Sequence, residues 1–309
     1  MNKSEKIITA VAVILTLLIT SFIIPTEIGV KVSVEGQPAN QVVNNAPVTQ
    51  APVQNIEPST TAPQVTQPQA TAPSQENKEE GSKTDKPESV KEIIDQYTLL
   101  VDKFKKEKPA YTKKEYQALP EEYRNFSDVI NKFLGIASNY MVTEEQAEEL
   151  IREKGAAEIL TDVPIYNSEK GCALTDYDAV EWAKCEDLGD GTYKITFSLK
   201  EEINAEPTPA DTLVPPSAHG AVMQPVAFKD IKAEVDKVVG AIPGVTLNGF
   251  DLIYRDCVFG CVYDPKTDQV KSITHNIVID ITADAELFSA KINGTARLTN
   301  DMLIYNINW

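Results

Sequence analysis

Two histidines, His219 and His275, are all that 309 residues contain. With so little imidazole, histidine-based triads and histidine-ligated metal centres have almost no material. No G-x-S-x-G elbow, Walker loop, G-x-G-x-x-G fingerprint, H-E-x-x-H pair or S-x-x-K motif occurs either. Positive charge is also short, with 29 Lys and Arg against 46 Asp and Glu for a net charge of −17. A nucleic-acid partner is not expected on that ground, because nothing would drive counterion release from a phosphate backbone. No cofactor and no metal site is expected. Cysteine does not occur before Cys172, so a lipid-modified N-terminal cysteine is not expected. Aromatic residues are missing between Phe22 and Tyr97. So long a stretch without large apolar side chains cannot offset the entropy of ordering the chain.

What the N-terminal part does contain is grease. Residues 7–24, IITAVAVILTLLITSFII, are 18 consecutive uncharged positions. As a helix they would reach about 27 Å, close to the ~30 Å hydrocarbon layer. Lys3 and Lys6 precede the run. The positive-inside rule then leaves residues 1–6 in the cytoplasm and puts the rest outside. A cleaved signal peptide is the competing reading, but the run is long for one and Pro25 to Gly29 offers no small-x-small cleavage site. The expectation is an uncleaved signal-anchor: a single-pass protein of the cell membrane, N-terminus in and C-terminal domain outside.

Residues 25–88 read as a disordered linker. From Val32 to Gln75 there is no Lys or Arg, and prolines 47, 52, 58, 63, 68 and 73 recur every five or six residues. Such a Pro/Thr/Gln-rich chain is a spacer, extended or coil-like, with a proline-motif ligand or a glycosylated stalk as the sharper alternatives. The first 88 residues hold 6 basic and 9 acidic side chains, which leaves 23 and 37, a charge of −14, on residues 89–309. That remainder is one domain's worth of chain.

The domain opens with a helix. Ser89 and Glu92 form a capping box, and Val90, Ile93, Ile94, Tyr97, Leu100, Val101 and Phe104 follow on one face until Pro109. Thr112 to Glu115 repeats the same grammar. Phe126, Val129, Ile130, Phe133 and Leu134 predict a second helix, and a third is expected over 144–154, capped by Thr143 with Gln146 and stopped by Gly155. After residue 170 the period becomes two. A hairpin joins strands near 179–188 and 193–199 through the Gly-Asp-Gly turn at 189–191. A proline-punctuated loop over 205–226 follows, then one more helix marked by Ile231, Val235, Val238, Val239 and Ile242, then strands near 249–263, 270–283, 286–298 and 302–309. The expected fold class is α+β: helices packed on an antiparallel β-meander.

Cys172, Cys185, Cys257 and Cys261 all fall in the part expected outside the membrane, where disulfides persist. Cys257 and Cys261 stand ~13 Å apart along one strand and cannot bridge to each other. Cross-bridges to Cys172 and Cys185 are the expectation, with a local Cys172–Cys185 bridge left open. A zinc site on the four sulfurs is disfavoured by their spacing. His275 alternates with Ile273, Ile277, Ile279 and Ile281 and reads as a hydrogen-bonded core residue; His219, in the proline-rich loop, reads as solvated. Asp176, Asp178, Asp187 and Asp190 do not match a calcium loop and read as turn acids. No catalytic, cofactor-binding or metal-ligating residue is therefore singled out.

The segments SVKEIIDQYTLLVDKFKKEKPAYTKKEY, TEEQAEELIREKG and YRDCVFGCVYDPKTDQVKSIT resemble a loose family of uncharacterised membrane-anchored or secreted extracytoplasmic proteins of low-GC Gram-positive bacteria. The resemblance implies location and brings no activity, ligand or catalytic residue. The function expected is a cell-envelope binding or interaction module, acting through a surface or an apolar groove and taking an envelope component or lipid as partner. The alternative is an envelope hydrolase acting on glycan or peptide.

Overall fold

The computed structural model describes residues 86–125, 141–240, 244–287 and 290–309. The apolar run at 7–24, most of the linker and the helix expected over 126–134 lie outside them. Among the described residues no helix is long and apolar enough to cross a membrane.

Helix α1, Val90–Glu107, starts as its sequence dictates. The Ser89 hydroxyl accepts from the Glu92 amide at 3.2 Å, and the Glu92 carboxylate accepts from the Ser89 amide at 3.0 Å. This satisfies donors that every helix N-terminus leaves open. Lys108 ends the helix in the left-handed region, its amide returning to Phe104 O. Ile93, Ile94, Tyr97, Leu100, Val101 and Phe104 are each at most 1% exposed. Burial of that face contributes on the order of 10 kcal/mol before entropy is counted.

From residue 110 the chain departs from the helical reading. Ala110–Ala118 is strand β1, although Thr112 and Glu115 sit at capping-box spacing. The segment expected as a helix over 144–154 makes one turn, with the Gln146 and Ala147 amides on Thr143 O, and then extends into strand β2, Leu150–Arg152. β2 pairs antiparallel with β1, placing Ile151 opposite Thr112. Pairing on both sides of β1 satisfies backbone groups that an isolated amphipathic turn could not, and it overrides local preference. Gly155 does stop the segment, at φ +86°.

A single turn, α2 (Ile159–Asp162), leads to strands β3 (Val180–Asp187) and β4 (Tyr193–Leu199), the expected hairpin, with Gly189 and Gly191 at positive φ. The short strand β5 (Glu202–Ile203) and helix α3 (Phe228–Gly240) follow. Next come β6 (Val245–Tyr254), β7 (Val258–Asp264), β8 (Gln269–Leu287) and β9 (Ala290–Asn308). Residues 249–263 are thus two strands, and the strands expected at 286–298 and 302–309 are one.

All nine strands among the described residues join one antiparallel sheet in the order β2-β1-β9-β8-β7-β4-β3, with β6 beside β8 and β5 beside β6. This corrects the expected fold class: the described residues of the domain are mostly sheet with few helices, and helices packed on a meander do not describe them. A meander keeps sequence neighbours adjacent. Here β1 lies against the last strand, with Tyr116 opposite Asp301, and β4 lies against β7, with Phe197 opposite Phe259.

β8 runs unbroken through the sheet while the chain beside it breaks between β6 and β7 at Arg255–Cys257, where Asp256 has φ +55°. The Cys257 thiol fills the gap: Sγ lies 3.4 Å from both the amide nitrogen and the carbonyl oxygen of Val278. One glycine is obligatory beyond the break. A Cβ on Gly260 would meet Ile195 O at 2.5 Å and Thr196 Cγ2 at 2.9 Å.

The core lies between α1 and one face of this sheet. Phe197, Phe259, His275 and Met302 stand in register across four strands. Tyr97 descends onto that row, its ring edge-on to Phe197 at 4.9 Å. Ile273, His275, Ile277, Ile279 and Ile281 are all buried, as their alternation predicts.

Candidate functional site

β4 ends at Leu199, and the chain turns through Lys200 and Glu201 into β5. That turn, the stretch Leu174–Asp176 with Ala179, and the loop Pro215–Ala218 with Ala221 surround an open cleft of about 420 Å³. Leu174 and Ala221 make an apolar floor, while Asp176, Lys200, Glu201 and Glu202 supply charge around it.

Glu202 is the keystone of one wall. Its carboxylate accepts from the His219 amide at 2.9 Å and the Ala218 amide at 3.2 Å, and His219 Nδ1 lies 2.9 Å away. An ionised carboxylate only accepts, so Nδ1 carries the proton. Burial pushes the Glu202 carboxyl up, but the hydrogen bonds from the His219 side chain and backbone outweigh it and hold the group below the usual carboxylate range. His219 itself is fully buried, its ring 5.5 Å from Tyr254 and 6.5 Å from Phe259. Its Nε2 is buried without a hydrogen-bond partner. The loop behind it is knitted by Ser217, which donates to Glu206 O at 2.8 Å and accepts from the Gly220 amide at 2.9 Å. Thr208 donates to Gly220 O at 2.7 Å.

The reading of His219 as solvated is therefore wrong. The apolar run Ala221-Val222-Met223 just after it, all fully buried, is the signal that the loop dips into the core. The other acids of the cleft are engaged as well. Asp176 accepts from the Asp178 amide at 3.1 Å, and Glu201 pairs with Arg255 at 3.4 Å. Asp187 and Asp190 cap their turn, through the Gly189 and Thr192 amides. Among the described residues no group of three or more His, Cys, Asp or Glu is placed to hold a metal ion.

The four cysteines are free, buried thiols, and the expected bridges are absent. The register gives the reason for one pair. Cys185 and Cys261 both stand opposite Ile195, on either side of it, so two strand spacings of about 4.8 Å separate them, beyond the ~7 Å reach of a disulfide. Cys257 is committed to Val278, and Cys172 meets the Thr98 side chain. Burial pushes all four thiols up, Cys257 to about 12.

A second polar assembly lies under β1 and also escaped sequence reasoning. Tyr111 donates to Asp162 Oδ2 at 2.9 Å, and Arg152 donates to both oxygens of the same carboxylate at 2.7 and 3.3 Å. Lys113 pairs with Glu115 at 2.8 Å, and the Asn300 amide donates to that glutamate at 2.9 Å. Burial pushes Lys113 down, yet Glu115 and the surrounding oxygens outweigh it and leave the group raised. Lys105, also fully buried, donates to three backbone carbonyls: Val163 at 2.8 Å, Ile165 at 2.6 Å and Lys170 at 3.0 Å. Burial pushes its ammonium down to about 7, opposed by the charge of Asp102. The signal for Lys105 was its place four residues after Val101 and eight after Tyr97, on the buried stripe. Arg152 and Lys113 are matched by carboxylates and Lys105 by backbone carbonyls, which gives the assembly the character of internal support.

Comparison of the chain with protein-family models, with curated proteins and with solved structures returned no match in any of the three.

Proposed function

We propose that residues 89–309 form an exported binding or interaction module, rooted in the cell membrane by residues 7–24, carried off it by the proline-rich linker, and engaging an envelope component through its surface. The observation that carries this reading is the state of the acids at the cleft. Asp176, Glu201 and Glu202 each already serve a protein group. Hydrolysis of a glycan by paired carboxyls needs one kept protonated and another kept available. Glu202, held below its usual range, is neither. That weighs for recognition over hydrolysis of envelope glycan or peptide. The seam between α1 and the sheet is filled by side chains that are at most 5% exposed. Its filling weighs for a partner met at the surface over an acyl chain taken into that seam. The cleft itself, with its apolar floor and a rim of polar and charged side chains, suits a small group that is part apolar and part polar.

A photo-crosslinker at position 200, introduced into the full chain in intact cells, should trap an envelope component. The same group at position 266, in the exposed β7–β8 turn, should not. Equal trapping at both positions, or release of sugar or peptide from envelope preparations by the purified protein, would overturn the reading. Protease added to intact cells should release peptides from residues 86–309; their full protection would overturn the export.

A further inference from the structure

The three carbonyls around Lys105 are arranged as a binding site independent of the lysine that fills them. Val163, Ile165 and Lys170 direct their oxygens at one point, 2.6 to 3.0 Å from Nζ, at a position with no solvent exposure. The convergence is built by the 163–170 segment. The Ile165 amide donates to Lys170 O at 3.1 Å, the Asn167 amide to Leu160 O at 2.7 Å and the Lys170 amide to Ser168 Oγ at 2.9 Å. The nearby acid, Asp102, is turned elsewhere: it takes Lys170 Nζ at 2.6 Å and the Gly171 amide at 2.7 Å. The charge at the centre is thus met by neutral dipoles.

Converging carbonyl oxygens repel one another unless a cation sits between them. Neutral oxygens at 2.6 to 3.0 Å fit a large monovalent ion, as in carbonyl-lined potassium sites. Calcium and magnesium favour shorter distances and anionic ligands. An ammonium is close to potassium in size and offers three N–H groups to three acceptors.

We propose that the 163–170 segment is a carbonyl nest for one large monovalent cation, with the Lys105 ammonium as its tethered occupant, so that potassium or ammonium ion binds there when the side chain is removed. The nest also sets the cleft. From Lys170 the chain passes through Gly171, whose Cβ would fall 2.1 Å from Val101 Cγ1, so no larger residue packs here unshifted. Ala173 then donates to Ala221 O at 2.7 Å, and Leu174 to Asp176 form the cleft wall. Lys105 is therefore a positioning residue for that wall.

The test uses full-length Lys105→Ala, unfolded and refolded in detergent at pH 6 in potassium, ammonium, lithium or choline chloride of equal ionic strength. Refolded yield and Tm of the recovered protein are the readouts. Wild type should be indifferent to the cation. The variant should refold poorly and melt low in choline and lithium, and recover saturably in potassium and ammonium. At a hundredfold excess over Kd the gain in Tm should be on the order of 5 to 10 °C. Lys105→Met, which keeps the stem and blocks the nest, should show no cation response. Recovery that does not distinguish potassium from choline, a response of Lys105→Met equal to that of Lys105→Ala, or failure of the alanine variant to refold in every salt, would overturn the proposal.

Discussion

The Tyr97 hydroxyl lies 2.9 Å from Nε2 of His275, joining the buried face of α1 to the middle of β8. Burial, with the positive charge of Lys113 adding to it, pushes the His275 imidazole down to about 3. The bond is thus one between two neutral groups in a dry core. Its loss in Tyr97→Phe should cost about 1 to 3 kcal/mol, because it strands a buried ring nitrogen. Urea unfolding at pH 7 measures it, and a change below about 0.5 kcal/mol would show that the bond does not hold.

His275 also sets an acid limit. Its folded value near 3 lies below the ~6.5 of an unfolded histidine, so the unfolded chain binds the extra proton between those values. Stability from this group is full above pH 6.5 and falls as pH drops toward 3. Between pH 7 and 4.5 the loss should be about 3 kcal/mol. His275→Gln should flatten that part of the curve, and an unchanged slope would remove His275 as its cause.

The buried thiols should be silent. Native protein should take up no Ellman's reagent over minutes, and protein in guanidinium should show all four thiols. Two intact disulfides by unreduced peptide mapping would contradict the structure. Cys257→Ala should destabilise by about 1 to 3 kcal/mol through the Val278 amide it leaves open, while the Val278 carbonyl keeps the Arg255 amide at 3.2 Å.

Gly260→Ala places a methyl 2.5 Å from Ile195 O, where β4 and β7 both carry backbone that cannot retreat. A loss of about 2 to 3 kcal/mol in urea unfolding is expected. A neutral result would mean that the two strands can part at no cost.

Glu202→Ala removes the acceptor of the Ala218 and His219 amides. The loop from 205 to 218 should become the first site of limited proteolysis, with global stability falling by about 1 to 2 kcal/mol, the modest figure reflecting a carboxylate that is 25% exposed. Cleavage elsewhere first would place the anchor of that loop in other residues.

Legibility followed the range of the interactions. Where the deciding contacts lie within a few residues, as in the Ser89–Glu92 box, the stripe of α1 from Ile93 to Phe104 (Val90, expected on the same face, is exposed), the Gly189–Gly191 turn and the alternation of β8, pattern and structure agree. Where the deciding partner is distant, local pattern misled. Thr112 and Glu115 look like a helix start, but Tyr305 and Met302 stand opposite them in β9. Leu150–Arg152 extends only because β1 offers an edge. The break at Arg255–Cys257 carries no glycine or proline to announce it. At the cleft, proline spacing suggested a solvated loop, while the pairing of His219 with Glu202, 17 residues earlier, draws it inward.

The position of β9 between β1 and β8 has a consequence for biogenesis. Tyr116 has its partner, Asp301, roughly 185 residues further along. As the polypeptide leaves the ribosome or the translocon, β1 therefore emerges long before the strand that completes it, and its naked edge is open to chaperones and to wrong neighbours in the interval. Closure of the sheet waits on β9.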